Sequence, residues 1–223
     1  MKPESKNSLK PSINEKMYGT RAVNEMRLSA IKENAGSTIL DVGCGSGAYV
    51  LSLKESLDIK GTDYCAYETW GEEPGRFFVA DAAEIAVEDK SFETILSFET
   101  LEHLSNPEKA LKEYYRICSR NVILTVPNCD ITAGLKKSNL IFGHWKDPTH
   151  VNFFTLKSIC DTVVSAGFTV KKAYYINKIN VWPFLFESLG VNPTVGVGAF
   201  LVKVFSRIPT RSYYLTCCVI AEK

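Results

Sequence analysis

Apolar residues along this chain fall into short strand-like runs separated by stretches of helical spacing, and the two alternate from end to end. Val23, Met26, Ala30 and Ile31 keep helical spacing within residues 20–34, and Asn34 to Gly36 stop that helix. Ile39, Leu40 and Val42 then make a β-type run that ends abruptly in glycine, after which Ala48, Tyr49, Val50, Leu51 and Leu53 return to helical spacing. Further strand-like stretches close at Asp63, cover Phe77 to Ala80 and run from Ser91 to Glu99. A helix is predicted over residues 108–118. Pro107 stands at its start, where a missing N–H is tolerated, and Leu111, Tyr114, Tyr115 and Cys118 form its buried stripe. The run Asn121 to Val126, ended by Pro127, suits a central parallel strand. A helix over residues 155–166 is ended by Gly167, a strand follows over 168–176, and residues 212–222 close the chain as an edge or penultimate strand. Strands separated by helices predict a parallel sheet covered on both faces.

Two segments depart from that alternation. Residues 1–16 are polar and Lys-rich and read as a flexible leader, which leaves 17–223 as one domain. Residues 180–211 form an insert before the last strand. Trp182, Phe184, Leu185, Phe186 and Leu189, then Phe200, Leu201, Val204 and Phe205, make two short apolar faces, and Lys203, Arg207 and Arg211 flank the second. One reading is a lid or membrane-surface helix over 181–207. The other is a helical hairpin packed on the sheet.

Composition narrows the class. An apolar content of 45% is ample for one large core in 223 residues. Net charge is +1 and the pI near 7.5, so charge alone recruits neither nucleic acid nor an anionic surface. Seven cysteines occur without a C-x-x-C pair, a pattern of reduced thiols that predicts a cytoplasmic protein, with membrane contact at most peripheral.

The candidate chemistry starts at Asp41-Val42-Gly43-Cys44-Gly45-Ser46-Gly47. A strand feeding a helix through alternating glycines is a nucleotide-type cradle, because glycine permits positive φ and lets a ligand approach the backbone. The dinucleotide fingerprint places its third glycine three residues after the second. Here one residue separates them, with an acid two residues before the first glycine, so the loop points to a different adenosine-bearing ligand.

That motif resembles the first motif of the class I S-adenosylmethionine (SAM) methyltransferases, and the similarity continues in order along the chain. Asp63 closes the next strand, 22 residues on, where the family's acid accepts hydrogen bonds from the ribose hydroxyls. Asp81-Ala82 matches the position that contacts the adenine amino group. The resemblance implies a Rossmann-like, doubly wound, mostly parallel seven-stranded sheet with helices on both faces. It also implies SAM as cofactor, with Asp41, Gly43, Gly45, Gly47, Asp63, Asp81, Ala82 and Ser97 as its contacts. Phe92-Glu93 stands where the family usually has Phe-Asp, a departure away from the ligand residues.

Glu99 to Pro107 resembles the E-x-x-E-H loop of the small-RNA 2′-O-methyltransferases and the ubiquinone-pathway O-methyltransferases. Carried over, Glu99, Glu102, His103 and His150 would hold a divalent metal. Without a metal, His103 or His150 is the expected general base, and His144 a structural histidine. Three functions follow. A methyltransferase acting on a small-molecule, saccharide or lipid-linked acceptor, at oxygen, is the first. A metal-dependent RNA 2′-O-methyltransferase is the second, opposed by the neutral pI and the lack of a basic, aromatic-interleaved stripe. A non-catalytic SAM-binding protein is the third. Alignment of a nucleophile behind an already activated methyl can account for roughly 7–11 kcal/mol of barrier reduction in good intramolecular cases.

Overall fold

The computed structural model describes residues 23–130, 147–208 and 213–223. The leader, the first residues of the first expected helix, His144 and its neighbours 143–146, and Arg211 lie outside the described residues. Among the described residues seven strands are present: β1 (Thr38–Val42), β2 (Asp58–Asp63), β3 (Phe77–Val79), β4 (Phe92–Phe98), β5 (Cys118–Pro127), β6 (Thr169–Ile179) and β7 (Tyr213–Glu222). They form one sheet in the order β3-β2-β1-β4-β5-β7-β6. The pairs from β3 to β5 are parallel, and β7 runs antiparallel to both of its neighbours. The expected mostly parallel, seven-stranded architecture is observed. Two details differ. β5 is parallel to β4 only, because β7 reverses direction after β6 and inserts between β6 and β5. β7 is therefore penultimate, one of its two expected places, and where alternation along residues 212–222 predicts burial on one face it is buried continuously from Thr216 to Ala221.

The α-helices among the described residues are α1 (Glu25–Asn34), α2 (Ala48–Leu53), α3 (Pro107–Ile117), α4 (Leu156–Ser165), α5 (Val181–Ser188) and α6 (Gly196–Phe205). Two cores lie on opposite faces of the sheet. Leu40, Ile95, Val122, Leu124 and Val219 pack under α3 and α4 through Leu111, Tyr114, Ile159 and Val163. Ile39, Leu96, Ile123 and Ile220 pack under α1 and α2 through Ala30, Ile31, Val50 and Leu53. Alternate residues of each strand thus serve alternate faces, as the pleat requires.

Two predicted stripes need correction. α3 buries Ala110, Leu111, Tyr114 and Ile117; Tyr115 is half-buried, and Cys118 already belongs to β5. In α1, Met26 is 46% exposed. Asn24 caps this helix by accepting from the Met26 and Arg27 N–H groups. Ala30 and Ile31 set its inner face, and the position one turn before them is Arg27, with only 14% of its side chain exposed. A charged residue on the inner face is what apolar periodicity reads past.

The insert is a helical hairpin. Its shared interior is Trp182 and Phe186 against Phe205, with ring centroids 5.0 and 5.5 Å from the Phe205 ring.

Candidate active site

β1 runs into Gly43, β2 ends at Asp63, β4 runs into Glu99 and β5 ends at Pro127, all on one edge of the sheet. Open α/β sheets bind ligands along this carboxyl edge.

One half of the edge is the glycine loop. Gly43, Gly45 and Gly47 take φ of +75°, +52° and +78°, conformations that favour glycine. The Thr62 carbonyl accepts from the Gly43 and Cys44 N–H groups at 2.8 and 3.1 Å. The Gly45 N–H donates to Asp63 Oδ2 at 2.8 Å, and the Tyr64 N–H donates to Asp63 Oδ1 at 2.7 Å. From outside, Trp70 Nε1 donates to the Gly45 carbonyl and the Thr69 hydroxyl to the Ser46 carbonyl. Trp70 stacks on Phe77 with centroids 5.0 Å apart. A Cβ on Gly47 would strike that Phe77 ring, and one on Gly43 would strike the Thr100 side chain. Beside Gly45 the space is open, with no atom within 4 Å of where a Cβ would stand.

Asp41 is the loop's electrostatic anomaly. It is 1% exposed, and its Oδ2 has no hydrogen-bond partner. Burial, reinforced by Asp63, pushes its carboxyl from 3.8 up to about 7, against the pull of Arg27. Asp63 is raised too, chiefly by burial, while the Gly45 N–H opposes the shift. Two acids beside an open loop, one with an orphaned oxygen, fit a ligand that brings hydroxyls and positive charge.

The remaining expected contacts are spread out. Asp81, after β3, is exposed and accepts from the Ala83 N–H at 2.8 Å; Ala82 is half-buried against the α3-side core. Ser97 is fully buried, and its hydroxyl lies 3.3 Å from the Tyr114 hydroxyl. The Ser97 side chain thus faces the core beneath α3 rather than the loop.

The other half of the edge follows β4. Glu99 takes φ of +52° and donates its N–H to the Thr125 carbonyl. Its Oε1 accepts from Arg27 Nη2 at 2.5 Å and from the Thr125 hydroxyl at 3.0 Å, and Arg27 also lies over the Phe98 ring. A single helical turn, Leu101–His103, carries Glu102 and His103. A second segment is stapled to it: the Val151 and Asn152 N–H groups donate to the Glu102 carbonyl, and Asn152 Nδ2 donates to the carbonyls of Leu101 and Leu104. This staple brings His150 against His103, ring centroids 4.7 Å apart.

Glu102 is 1% exposed, and neither carboxyl oxygen has a hydrogen-bond partner. Burial, then the nearby Glu99, pushes it up to about 9, so it is a neutral acid at pH 7. His103 Nδ1 lies 3.2 Å from the Thr149 carbonyl. A carbonyl only accepts, so Nδ1 carries the proton and Nε2 of the neutral ring keeps a lone pair. Nε2 is 3.9 Å from Glu102 Oε1. Burial lowers the His103 pKa from its ordinary value, which favours the neutral ring. Donor atoms of Glu102, His103 and His150 lie within 4.8 Å of one another. Of the four ligands expected for a metal, these three converge; Glu99 is engaged by Arg27 and Thr125.

Sequence reasoning missed Arg27, Trp70 and Thr100. Arg27 had one legible sign, a cation on the inner stripe of a helix. Trp70 and Thr100 act through pairings across the fold, which no local pattern reports.

Comparison with known proteins agrees with this geometry. A family profile described as a methyltransferase domain matches residues 16–173. The chain is 31% identical over 91 residues to a protein of Bos taurus named probable tRNA methyltransferase 9B, a segment covering 39% of this chain and 20% of that one. It is 28% identical over 106 residues to ajmaline N-methyltransferase of Rauvolfia serpentina, covering 42% of this chain and 36% of that one. This chain thus spans only a minor part of either relative. Among solved structures, a SAM-dependent methyltransferase from Archaeoglobus fulgidus superposes with a TM-score of 0.62 at 21% identity, over 94% of this chain and 97% of that one.

Proposed function

Because this chain belongs to the family of SAM-dependent methyltransferases, we propose that it methylates an oxygen of a small-molecule, saccharide or lipid-linked acceptor, with His103 as general base. The observation that carries this reading is the 3.2 Å contact of His103 Nδ1 with the Thr149 carbonyl, which favours the Nδ1–H tautomer and leaves the Nε2 lone pair for an acceptor proton. When bound, SAM supplies a methyl group already activated on a sulfonium sulfur. Asp63 is suited to hold the ribose hydroxyls while the Gly45 N–H keeps it in position. Asp41, with its orphaned oxygen, offers charge to the cationic end of the cofactor. Asp81 and Ala82 extend the cradle toward the adenine. His103 Nε2 would take the proton that an acceptor hydroxyl gives up when methylated, the bound donor leaving as S-adenosylhomocysteine, and the Thr149 carbonyl would keep the resulting imidazolium oriented. Burial of Glu102 as a neutral acid prevents it from competing for that proton.

The convergence of Glu102, His103 and His150 supports a second reading, in which these three hold a divalent ion that activates the hydroxyl, including a ribose 2′-hydroxyl of RNA. The relatives do not decide the acceptor: one is named for tRNA and the other for a nitrogen of ajmaline. The test is release of S-adenosylhomocysteine from SAM across a panel of hydroxyl and amine acceptors, with and without chelator. Turnover of a hydroxyl acceptor that persists in chelator supports the first reading. Metal-dependent turnover supports the second, and S-adenosylhomocysteine binding without turnover of any acceptor would count against both.

A further inference from the structure

The hairpin of α5 and α6 carries a surface that its own interior does not explain. Along α6, Val197, Phe200 and Val204 recur at i, i+3 and i+7 and are 73%, 64% and 38% exposed; Ile208, one turn on, is 48% exposed. Leu189 and Val195, in the connection between the helices, are 68% and 61% exposed. These are not the loose ends of an unfinished core. The inner side of the hairpin is closed by Trp182, Phe186 and Phe205, and Gly198 lies so near the connection that a Cβ there would overlap the Asn192 carbonyl. A contiguous apolar stripe of this kind on a soluble surface marks a site of contact, whereas single exposed apolar residues do not.

The charge pattern says what covers it. Residues 180–211 contain one acid, Glu187, and three bases, Lys203, Arg207 and Arg211; from Glu187 to Glu222 no acid intervenes. Lys203 and Arg207 are exposed. At about 100° per residue they stand together on one flank of the Val197–Phe200–Val204 stripe. An apolar stripe with a cationic flank complements a surface that offers hydrocarbon beside negative charge. The helices, of 8 and 10 residues, are far shorter than a bilayer core. Among the described residues no helix is long and apolar enough to cross a membrane.

We propose that the α5–α6 hairpin lies on an anionic lipid surface, with Val197, Phe200, Val204 and Ile208 among the acyl chains and Lys203 and Arg207 on the lipid phosphates. The topology gives this contact a direction. β6 runs parallel to β5, and the hairpin leaves β6 and enters β7 at the sheet edge that carries the glycine loop and Glu99. Docking therefore brings the candidate active-site edge toward the lipid. The contact itself does not depend on methyl transfer, so either can fail alone.

The test is co-sedimentation of the full chain with phosphatidylcholine vesicles, with and without phosphatidylserine, at rising salt. Thermal midpoints serve as the control that each variant folds. The expected result is binding to the phosphatidylserine vesicles that weakens with salt. Phe200→Glu and the double variant Lys203→Glu/Arg207→Glu should each lower vesicle affinity at least about tenfold with the midpoint unchanged. Absence of binding to anionic vesicles at low salt overturns the proposal. So does a homodimer that Phe200→Glu converts to monomer while vesicle binding is unchanged, because the stripe would then serve a second copy of the chain.

Discussion

Replacing Asp41 with asparagine should make the free protein more stable and a worse binder of its ligand. Burial and Asp63 raise the folded-state pKa of Asp41 from 3.8 to about 7. A carboxyl raised on folding contributes stability that is complete below its unfolded value and lost as pH rises through the folded one. Above pH 7, then, the buried charge costs the fold about 4 kcal/mol, from about 1.4 kcal/mol for each pH unit between 3.8 and 7. Asparagine keeps the shape and removes the charge, but its amide must also be satisfied where Oδ2 had no partner. The net gain at pH 8 is therefore between about 1 and 4 kcal/mol, at about 2–4 °C in thermal midpoint for each kcal/mol in a chain of this size. The assay is the difference in midpoint between Asp41→Asn and the parent from pH 5.5 to 8.5, without ligand. That difference should grow with pH and level off above 7. Calorimetry with S-adenosylhomocysteine at pH 8 should show affinity reduced by about tenfold or more, since a charged partner is gone. A variant equally destabilised across the pH range would refute the reasoning, because Asp41 would then be a structural hydrogen-bonding group rather than a strained ligand group.

The glycines separate cradle from packing. Gly47→Ala places a methyl in the Phe77 ring at positive φ and should cost at least about 2 kcal/mol in urea unfolding, together with ligand affinity. Gly45→Ala meets no atom and should cost only roughly 1–2 kcal/mol of left-handed strain, while lowering S-adenosylhomocysteine affinity more than Gly47→Ala does for each kcal/mol lost. Asp63→Ala removes the acceptor of the Gly45 N–H as well as a candidate ribose contact, so affinity measured by calorimetry should drop at least about tenfold; intact affinity would show the ribose assignment misplaced. His103→Ala should lower kcat by about 10²–10⁴ with little change in KM. In the parent enzyme kcat at saturating SAM should be flat at neutral pH and fall only on acidification past the ordinary imidazole range, because burial lowers the His103 pKa and the base works as the neutral ring.

The alternation of strands and helices, the acids at strand ends and the glycine loop were legible because each rests on local chemistry: apolar period and turn residues. What was not legible lies in pairings across the fold. Met26 and Arg27 are neighbours in sequence, and periodicity chose Met26 for the inner face; the pairing with Glu99, 72 residues away, decides for Arg27. Within the expected quartet of metal ligands Glu99 stands apart from the other three for the same reason, since Arg27 and Thr125 engage its Oε1. Ser97 carried no local sign of its direction; β4's pleat turns it toward Tyr114. The reversal of β7 was equally hidden, because strand patterning reports burial and not the direction of the neighbour.

Thr100 links the two halves of the edge. Its side chain fills the space beside Gly43, its hydroxyl is 3.3 Å from the carbonyls of Val42 and Phe98, and its own carbonyl accepts the His103 N–H. It acts as a spacer of one side chain's thickness between the glycine loop and the turn that carries His103. A smaller residue would leave the space beside Gly43 unfilled and a larger one would press on the glycine loop, so a change at Thr100 reaches both halves of the edge at once.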